Sequence, residues 1–325
     1  MLAFDPFALA LAALAVDAVV GDPPALYRRV PHPVALLGRW IEALEARLND
    51  ASASDAARLV RGGAATLAVV LAAAGAGALV HALAGAGPAG GVVEAVAASV
   101  FIAYRGLRDH VRAVARGMES GLEEARAAVA HVVGRDPASL DGSAVARAAV
   151  ESTAENFADG VVAPLFWYVL LGLPGLLAYK AINTLDSMVG HRDPRHRSFG
   201  RVAARVDDAA SWLPARLAAV LLAGAAVAVP GARAGAAVRA AVRDAGRHRS
   251  VNAGWPEAAM AGALGFALAG PRRYAGRTVE DAWMGDGRQD LGPKDVHAGL
   301  RLYAGATALL AALLAAGWAA GRAAG

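Results

Sequence analysis

Seven apolar runs, separated by shorter polar intervals, set the plan of this chain. They cover residues 4–20, 64–84, 92–104, 161–182, 213–230, 250–270 and 300–320. Several approach the ~20 residues needed to cross ~30 Å of hydrocarbon, which predicts a polytopic helical bundle. Asp5 and Asp17 interrupt the first run, and no basic region precedes it, so it reads as a retained span rather than a signal peptide. Pro23, Pro24, Pro31 and Pro33 forbid a continuous helix before about Val34. After them Leu36, Leu37, Trp40, Ile41, Leu44 and Leu48 repeat at helical spacing. GAGPAGG at 85–91 reads as a turn between the second and third runs, which makes them a hairpin. Asp141 or Ser143 is placed to cap a helix over 144–155.

The fourth run differs from the others. Gly172-Leu173-Pro174-Gly175 sits in its middle, where Pro and Gly break a helix or turn it back. The expected fold class is therefore all-α, a polytopic integral membrane bundle with a re-entrant or broken helix near residues 160–188. Residues 271–298 read as a Gly-rich polar loop, and the topology around 213–230 stays open because arginines follow it. Neither an internal repeat nor a linker divides the chain, which reads as one domain over 1–325.

Composition supports this picture. Hydrophobic residues make up 57% of 325 and charged residues 18%, and mean hydropathy is +0.41, a balance typical of multi-span proteins. An alanine-rich soluble helical protein is the plain alternative. The net charge of +4 comes almost entirely from arginine. Those arginines lie in loops, which favours anionic lipid and a positive-inside topology over nucleic acid. With no cysteine, thiolate metal sites and thiol catalysis are excluded. Small-residue faces suit close helix packing and allow a homodimer.

Polar residues crowd both ends of the broken run, where ionisable groups default to a functional reading. Glu151, Glu155 and Asp159 stand at i, i+4, i+8, with Asn156 among them. Such carboxylates suit a hard cation such as Mg²⁺, or a substrate ammonium. A solvated acidic helix start is the plain alternative. Lys180, Asn183 and Asp186 follow at i, i+3, i+6, with Thr184 and Ser187 beside them. The lysine serves against phosphate or a developing oxyanion, or merely snorkels at a span end. Arg195, Arg197, Arg201 and Arg205 precede the pair Asp207-Asp208. They suit phosphate or carboxylate, with a charge-balanced surface helix as the alternative. His32, between two prolines, is either a site residue or a loop histidine bonded to backbone. No P-loop, GxGxxG, serine elbow or HExxH is present. Taken together, these clusters are expected to gather in one wet pocket at the cytosolic rim of the bilayer.

The motifs ESTAENFADGVVAPLFW (151–167), YKAINTLDSMVGH (179–191), FGRVAARVDDAASWLPARL (199–217) and SVNAGWPEAAMAGALG (250–265) resemble the CobD/CbiB family of cobalamin biosynthesis. GDP at 21–23, HPV at 32–34 and GRD at 134–136 match its shorter motifs. Val251, where proline is expected, and Phe157-Ala158 depart from the pattern without touching a polar residue. The resemblance implies adenosylcobinamide-phosphate synthase activity at the cytoplasmic membrane, with the site facing the cytoplasm. In that reaction adenosylcobyric acid is joined through its free propionate to aminopropanol, free or O-phosphorylated, in an ATP-dependent amide-forming step. On this reading Glu151, Glu155, Lys180, Asp186 and Asp208 are catalytic, with Asp207 an alternative general base. His32, Asn156, Asn183, Arg201, Arg205 and Asn252 bind substrate, and Glu151, Glu155 and Asp159 hold Mg²⁺ with the nucleotide phosphates. The rival readings are an AmpE-like membrane sensor and a corrinoid transporter.

Overall fold

Prolines and short polar side chains start about half of the helices. In the computed structural model, which describes residues 5–133, 137–274, 277–279 and 281–324, the helices run in this order. The first seven are α1 (Pro6–Val20), α2 (Pro24–Tyr27), α3 (Pro33–Leu48), α4 (Asp55–Ala84), α5 (Pro88–Ser99), α6 (Tyr104–Ser120) and α7 (Leu122–Val129). Then come α8 (Gly142–Phe157), α9 (Ala163–Val189), α10 (Arg201–Ala210), α11 (Trp212–Ala225), α12 (Ala234–Asp244), α13 (Gly254–Leu264) and α14 (Pro293–Ala324). Asp5 caps α1, accepting from the Phe7 and Ala8 amides at 2.8 and 3.1 Å. Ser54 caps α4 and Asp141 caps α8, each satisfying an amide of its first turn. Ser143 is not the cap. Its hydroxyl instead holds the loop at Asp290 and Leu291.

Four helical stretches are long and apolar enough to cross a membrane: Asp55–Ala84, Pro88–Ser120, Gly142–Val189 and Pro293–Ala323. The protein is an all-α polytopic membrane bundle. Its described residues gather into two compact units, each assembled from separated stretches of chain. That interleaving is why no linker-like composition marks a boundary.

The first unit comprises Met1–Ile102, Ala163–Ser211 and Leu314–Gly325. Here α4 lies along α9, flanked by α3 and α10, over a core that includes Ile41, Val69, Leu185 and Phe199. The expected break in α9 falls at Gly172, whose φ of 67° and ψ of −159° suit only glycine. The chain doubles back there. The Trp167 carbonyl oxygen lies only 2.6 Å from where a Cβ on Gly175 would sit, although a straight helix separates residues eight apart by about 12 Å. Both limbs then reach the end of α10. Trp167 Nε1 donates to the Ala210 carbonyl at 3.1 Å, and the Tyr179 hydroxyl meets Ser211 Oγ at 3.2 Å.

The second unit comprises Ala103–Val162 and Trp212–Leu313. Its centre is α13, packed by α12, α11 and α8. Part of what read as a polar loop at 271–298 carries short antiparallel pairs, and its end, from Pro293, belongs to α14. β1 (Leu268–Ala269) pairs with β4 (Trp283–Met284), and β2 (Arg272–Tyr274) with β3 (Arg277–Val279). These segments are too short to show an alternating pattern in sequence; pairing satisfies backbone groups near the buried α13. The GRD motif at 134–136 lies outside the described residues.

Candidate functional site

In the first unit, the end of α9 and the face of α10 bring three carboxylates into electrostatic reach: Asp186, Asp207 and Asp208. α9 ends at Val189, and the residue after it is Gly190 for a steric reason. A Cβ there would fall 2.0 Å from Asp186 Oδ1, so only glycine lets the carboxylate fold over the helix end. The loop after it is held by Glu45, which accepts from Arg195 Nε and Nη2 at 2.8 and 2.7 Å and from Asn49 Nδ2 at 2.7 Å. Buried Arg58 donates to Asn49 Oδ1 and to the Arg195 carbonyl, completing the anchor. That bidentate pair holds the Glu45 carboxyl below its ordinary range, against the opposing effect of burial.

Asp207 has the opposite surroundings. Burial, then the charges of Asp186 and Asp208, push its carboxyl up to about 7, against the pull of hydrogen bonds from Asn183 and Ser211. Its Oδ1 is buried without a hydrogen-bond partner. A buried carboxylate among like charges is a recurrent way to set an acid or base near neutral pH. Lys180 is half-buried one turn before Asn183 on the same limb of α9. Thr184 and Ser187 are spent on their own helix, donating to the carbonyls of Lys180 and Asn183 at 2.7 and 2.9 Å.

Beside the acids opens a cavity of about 620 Å³ lined by His191, Arg192, Arg197, Arg201, Arg205 and Asp208. Arg205 reaches Asp208 at 3.7 Å, and Arg197 reaches Asp55 at 3.6 Å. Both pairs are long and exposed and so neutralise little. Asp208 thus belongs both to the arginine-lined cavity and to the acidic cluster. The sequence reading brought Arg201, Arg205, Asp186 and Asp208 to this site but passed over His191 and Arg192. Their signal was the dense basic stretch GHRDPRHR, indistinguishable in sequence from a solvated loop.

The other expected site residues belong to their own surroundings. In the second unit Glu151 is buried and accepts from the Ala269 amide of β1 at 2.8 Å. Glu155 is exposed, and Asn156 Nδ2 turns back to the Ser152 carbonyl at 3.0 Å. Asp159 lies in a π turn over Ala158–Val162 that follows α8. Asp159 therefore leaves the α-helical register that Glu151 and Glu155 share, a device that recurs at functional positions. Asn252 Oδ1 accepts from Arg216 Nη1 at 2.8 Å. The Arg216 guanidinium lies 4.4 Å from the Trp212 ring centroid and 4.9 Å from that of Trp255. The motifs at 199–217 and 250–265 thus meet through one arginine. In the first unit His32 caps α3, its Nδ1 accepting from the Val34 amide at 3.1 Å while Nε2 faces Asp22 at 3.5 Å. Among the described residues, no group of three or more His, Asp or Glu could hold a metal ion by itself.

One polar group escaped the sequence reading altogether. Glu94, 1% exposed in α5, accepts from Tyr168 Oη at 2.8 Å and meets His81 Nδ1 at 2.7 Å. It ties α4, α5 and α9 together inside the apolar part of the first unit.

Fold and site together define a polytopic membrane protein that sets a guanidinium-lined cavity against a buried acidic cluster. The sequence matches the CobD/Cbib protein family over residues 10–303, and the chain belongs to that family. It is 51% identical to the cobalamin biosynthesis protein CobD of a Sinorhizobium species over 303 residues, 92% of this chain and 94% of the relative. It is 47% identical to the protein of that name from Brucella suis biovar 1, over 92% of each chain. The Rhodobacter capsulatus protein of that name is 46% identical over 93% of this chain and 94% of its own length. No solved structure matches significantly.

Proposed function

We propose that this protein is an enzyme of cobalamin biosynthesis that forms an amide between the free propionate of adenosylcobyric acid and aminopropanol, most readily as its O-phosphate. The observation that carries this reading is the double membership of Asp208. A molecule with an ammonium at one end and a phosphate at the other finds carboxylates and guanidinium groups side by side. Family membership supports the pathway.

Amide formation from a carboxylate in water is uphill, so the propionate needs activation. In the proposed route a propionate oxygen attacks the γ-phosphorus of ATP and ADP leaves. The amine nitrogen then attacks the acyl carbon, and inorganic phosphate leaves with the former propionate oxygen. The amine sheds a proton on the way, and Asp207 is placed to take it. Arg201, Arg205 and Lys180 offset phosphate and oxyanion charge. Asp186 keeps Asp207 basic, and Asn183 orients it. Mg²⁺ commonly arrives on nucleotide phosphates and takes only one or two protein carboxylates. Glu155 and Asp159 are the carboxylates proposed to hold it, and what it supplies is charge neutralisation. Glu151, engaged by the β1 backbone, is proposed to position Glu155, Asn156 and the π turn.

The test is mass analysis of the corrinoid made by the purified protein with ATP, Mg²⁺ and either free or phosphorylated aminopropanol. A product heavier than adenosylcobyric acid by the amine minus water is expected. The phosphorylated amine should have the lower KM, and Arg201→Gln should remove that preference. Absence of amide product from active, folded protein would sink the reading. The reversal at Gly172 also suits a corrinoid transporter, since broken helices line transport sites. A deletion strain decides: rescue by cobinamide but not by cobyric acid marks the enzyme, while a corrinoid uptake defect marks the transporter.

A further inference from the structure

A second basic cavity, of about 210 Å³, lies within the second unit at α12, and the amide-forming reaction does not use it. Arg233, Arg239 and Arg243 line it together with Asp286 and the backbone of Gly265 and Gly287. Arg243 is already committed. It bonds Asp286 at 2.6 Å and grips buried Asp244 through Nε and Nη2 at 2.9 and 2.7 Å. Among the described residues, Arg233 and Arg239 are paired with no acid. Two uncompensated guanidinium groups therefore share a recess with one that is held rigid, and guanidinium clusters of this kind take phosphate oxygens.

The helix around the recess is also informative. Ala237, Ala240 and Ala241 are buried, and α12 packs against α13. The opposite face carries Val238 and Val242, 52% and 72% exposed and one turn apart, with exposed Arg239 beside them. Bare valines next to arginines are the composition of a helix lying in a bilayer interface. The preceding apolar helix, α11, has 14 residues, or about 21 Å, too short for ~30 Å of hydrocarbon. The chain therefore need not leave the membrane side on which α11 begins.

We propose that α12 rests on the membrane surface, with Val238 and Val242 among the upper acyl carbons and the Arg233–Arg239–Arg243 recess, on its flank toward α13, holding the phosphate of an anionic phospholipid. The valines favour a lipid over a free anion, because a soluble phosphate has no use for exposed apolar side chains beside its site. This inference is independent of the proposed reaction.

The experiment reconstitutes the full-length protein in vesicles of mixed phosphatidylglycerol and phosphatidylcholine and counts retained lipid after extraction by native mass spectrometry. Phosphatidylglycerol should be retained in preference to phosphatidylcholine. The Arg233→Gln/Arg239→Gln double variant should bind it about 30-fold more weakly, from roughly 1 kcal/mol per arginine. Single Arg239→Gln, with an unchanged circular dichroism spectrum, should show a smaller loss in the same direction, which guards against a double variant that fails to fold. Arg201→Gln, in the other cavity, should leave the lipid count unchanged, so failure of this proposal is separable from failure of the reaction. Equal retention of both lipids, an unaltered count in the folded double variant, or displacement of the lipid by modest inorganic phosphate each overturns it.

Discussion

Asp207 and Asp244 are both aspartates at the rim of an α-helix, and they are treated in opposite ways. Asp244, 1% exposed, is fully answered: Arg243 grips both oxygens, Gly285 donates its amide at 2.9 Å, and Arg247 Nη1 lies at 3.3 Å. Burial pushes its carboxyl up, but these partners outweigh burial and hold it below the ordinary value of 3.8. Asp207 has two more carboxylates for neighbours and an oxygen with no partner, and it rises to about 7. Folding alone gains nothing from the second arrangement. The uncompensated arrangement is the one the proposed reaction uses, whereas the compensated one holds α12 to its neighbours.

That contrast breaks most sharply by substitution. Asp207→Asn should leave a folded protein whose amide-forming rate drops by about 10²–10⁴-fold, the usual span for losing a general base. Single-turnover product analysis measures it, and a rate near wild type would remove Asp207 from the mechanism. Asp244→Asn should do the reverse, costing about 2–3 kcal/mol of stability through lost charged hydrogen bonds while the folded fraction keeps its turnover. Chemical denaturation monitored by tryptophan fluorescence reads the difference.

The pH response sharpens the comparison. Because the folded value of Asp207 is raised, its contribution to stability is fully present below the unfolded value of 3.8 and is lost as pH climbs through about 7. Activity moves the other way, rising as Asp207 ionises near pH 7. Asp244, with a lowered value, contributes stability above 3.8 that is lost as pH falls through its folded value. Asp207→Asn should therefore flatten stability between pH 4 and 7, while Asp244→Asn should blunt the loss at lower pH. Thermal unfolding across that range tests both signs. The smallest effect expected is from Gly172→Ala, about 1–3 kcal/mol, because alanine at φ 67°, ψ −159° is strained. An unchanged melting temperature would show that the reversal in α9 tolerates another backbone.

Much of this was legible in sequence because it is local. Apolar run lengths marked the spanning stretches, the Pro-Gly pair marked the reversal at Gly172, and Asp141 marked the start of α8. Asp186, Asp207 and Asp208 stood out as acids near apolar runs and arginines. What stayed hidden joins residues far apart in the chain. Glu45 meets Arg195 across 150 positions, Glu94 meets Tyr168 across 74, and Arg216 meets Asn252 across 36. Asn252 and His32 were singled out by residue type and motif alone, which does not show which protein group an amide or an imidazole meets. In the structure one holds Arg216 and the other caps α3.

By itself, then, the order of residues determined the class of protein, an apolar helical bundle with acids beside its broken span, because hydrophobic length and backbone stiffness act over a few neighbouring residues; the arginines expected in loops lie largely in helices such as α6, α10 and α12. Only the tertiary structure decided which acid is answered and which is left exposed to like charge. That choice depends on distances between α9 and α10, or between α12 and the Gly285 turn, and electrostatic energy is set by separation in space and by burial, neither of which a linear pattern contains.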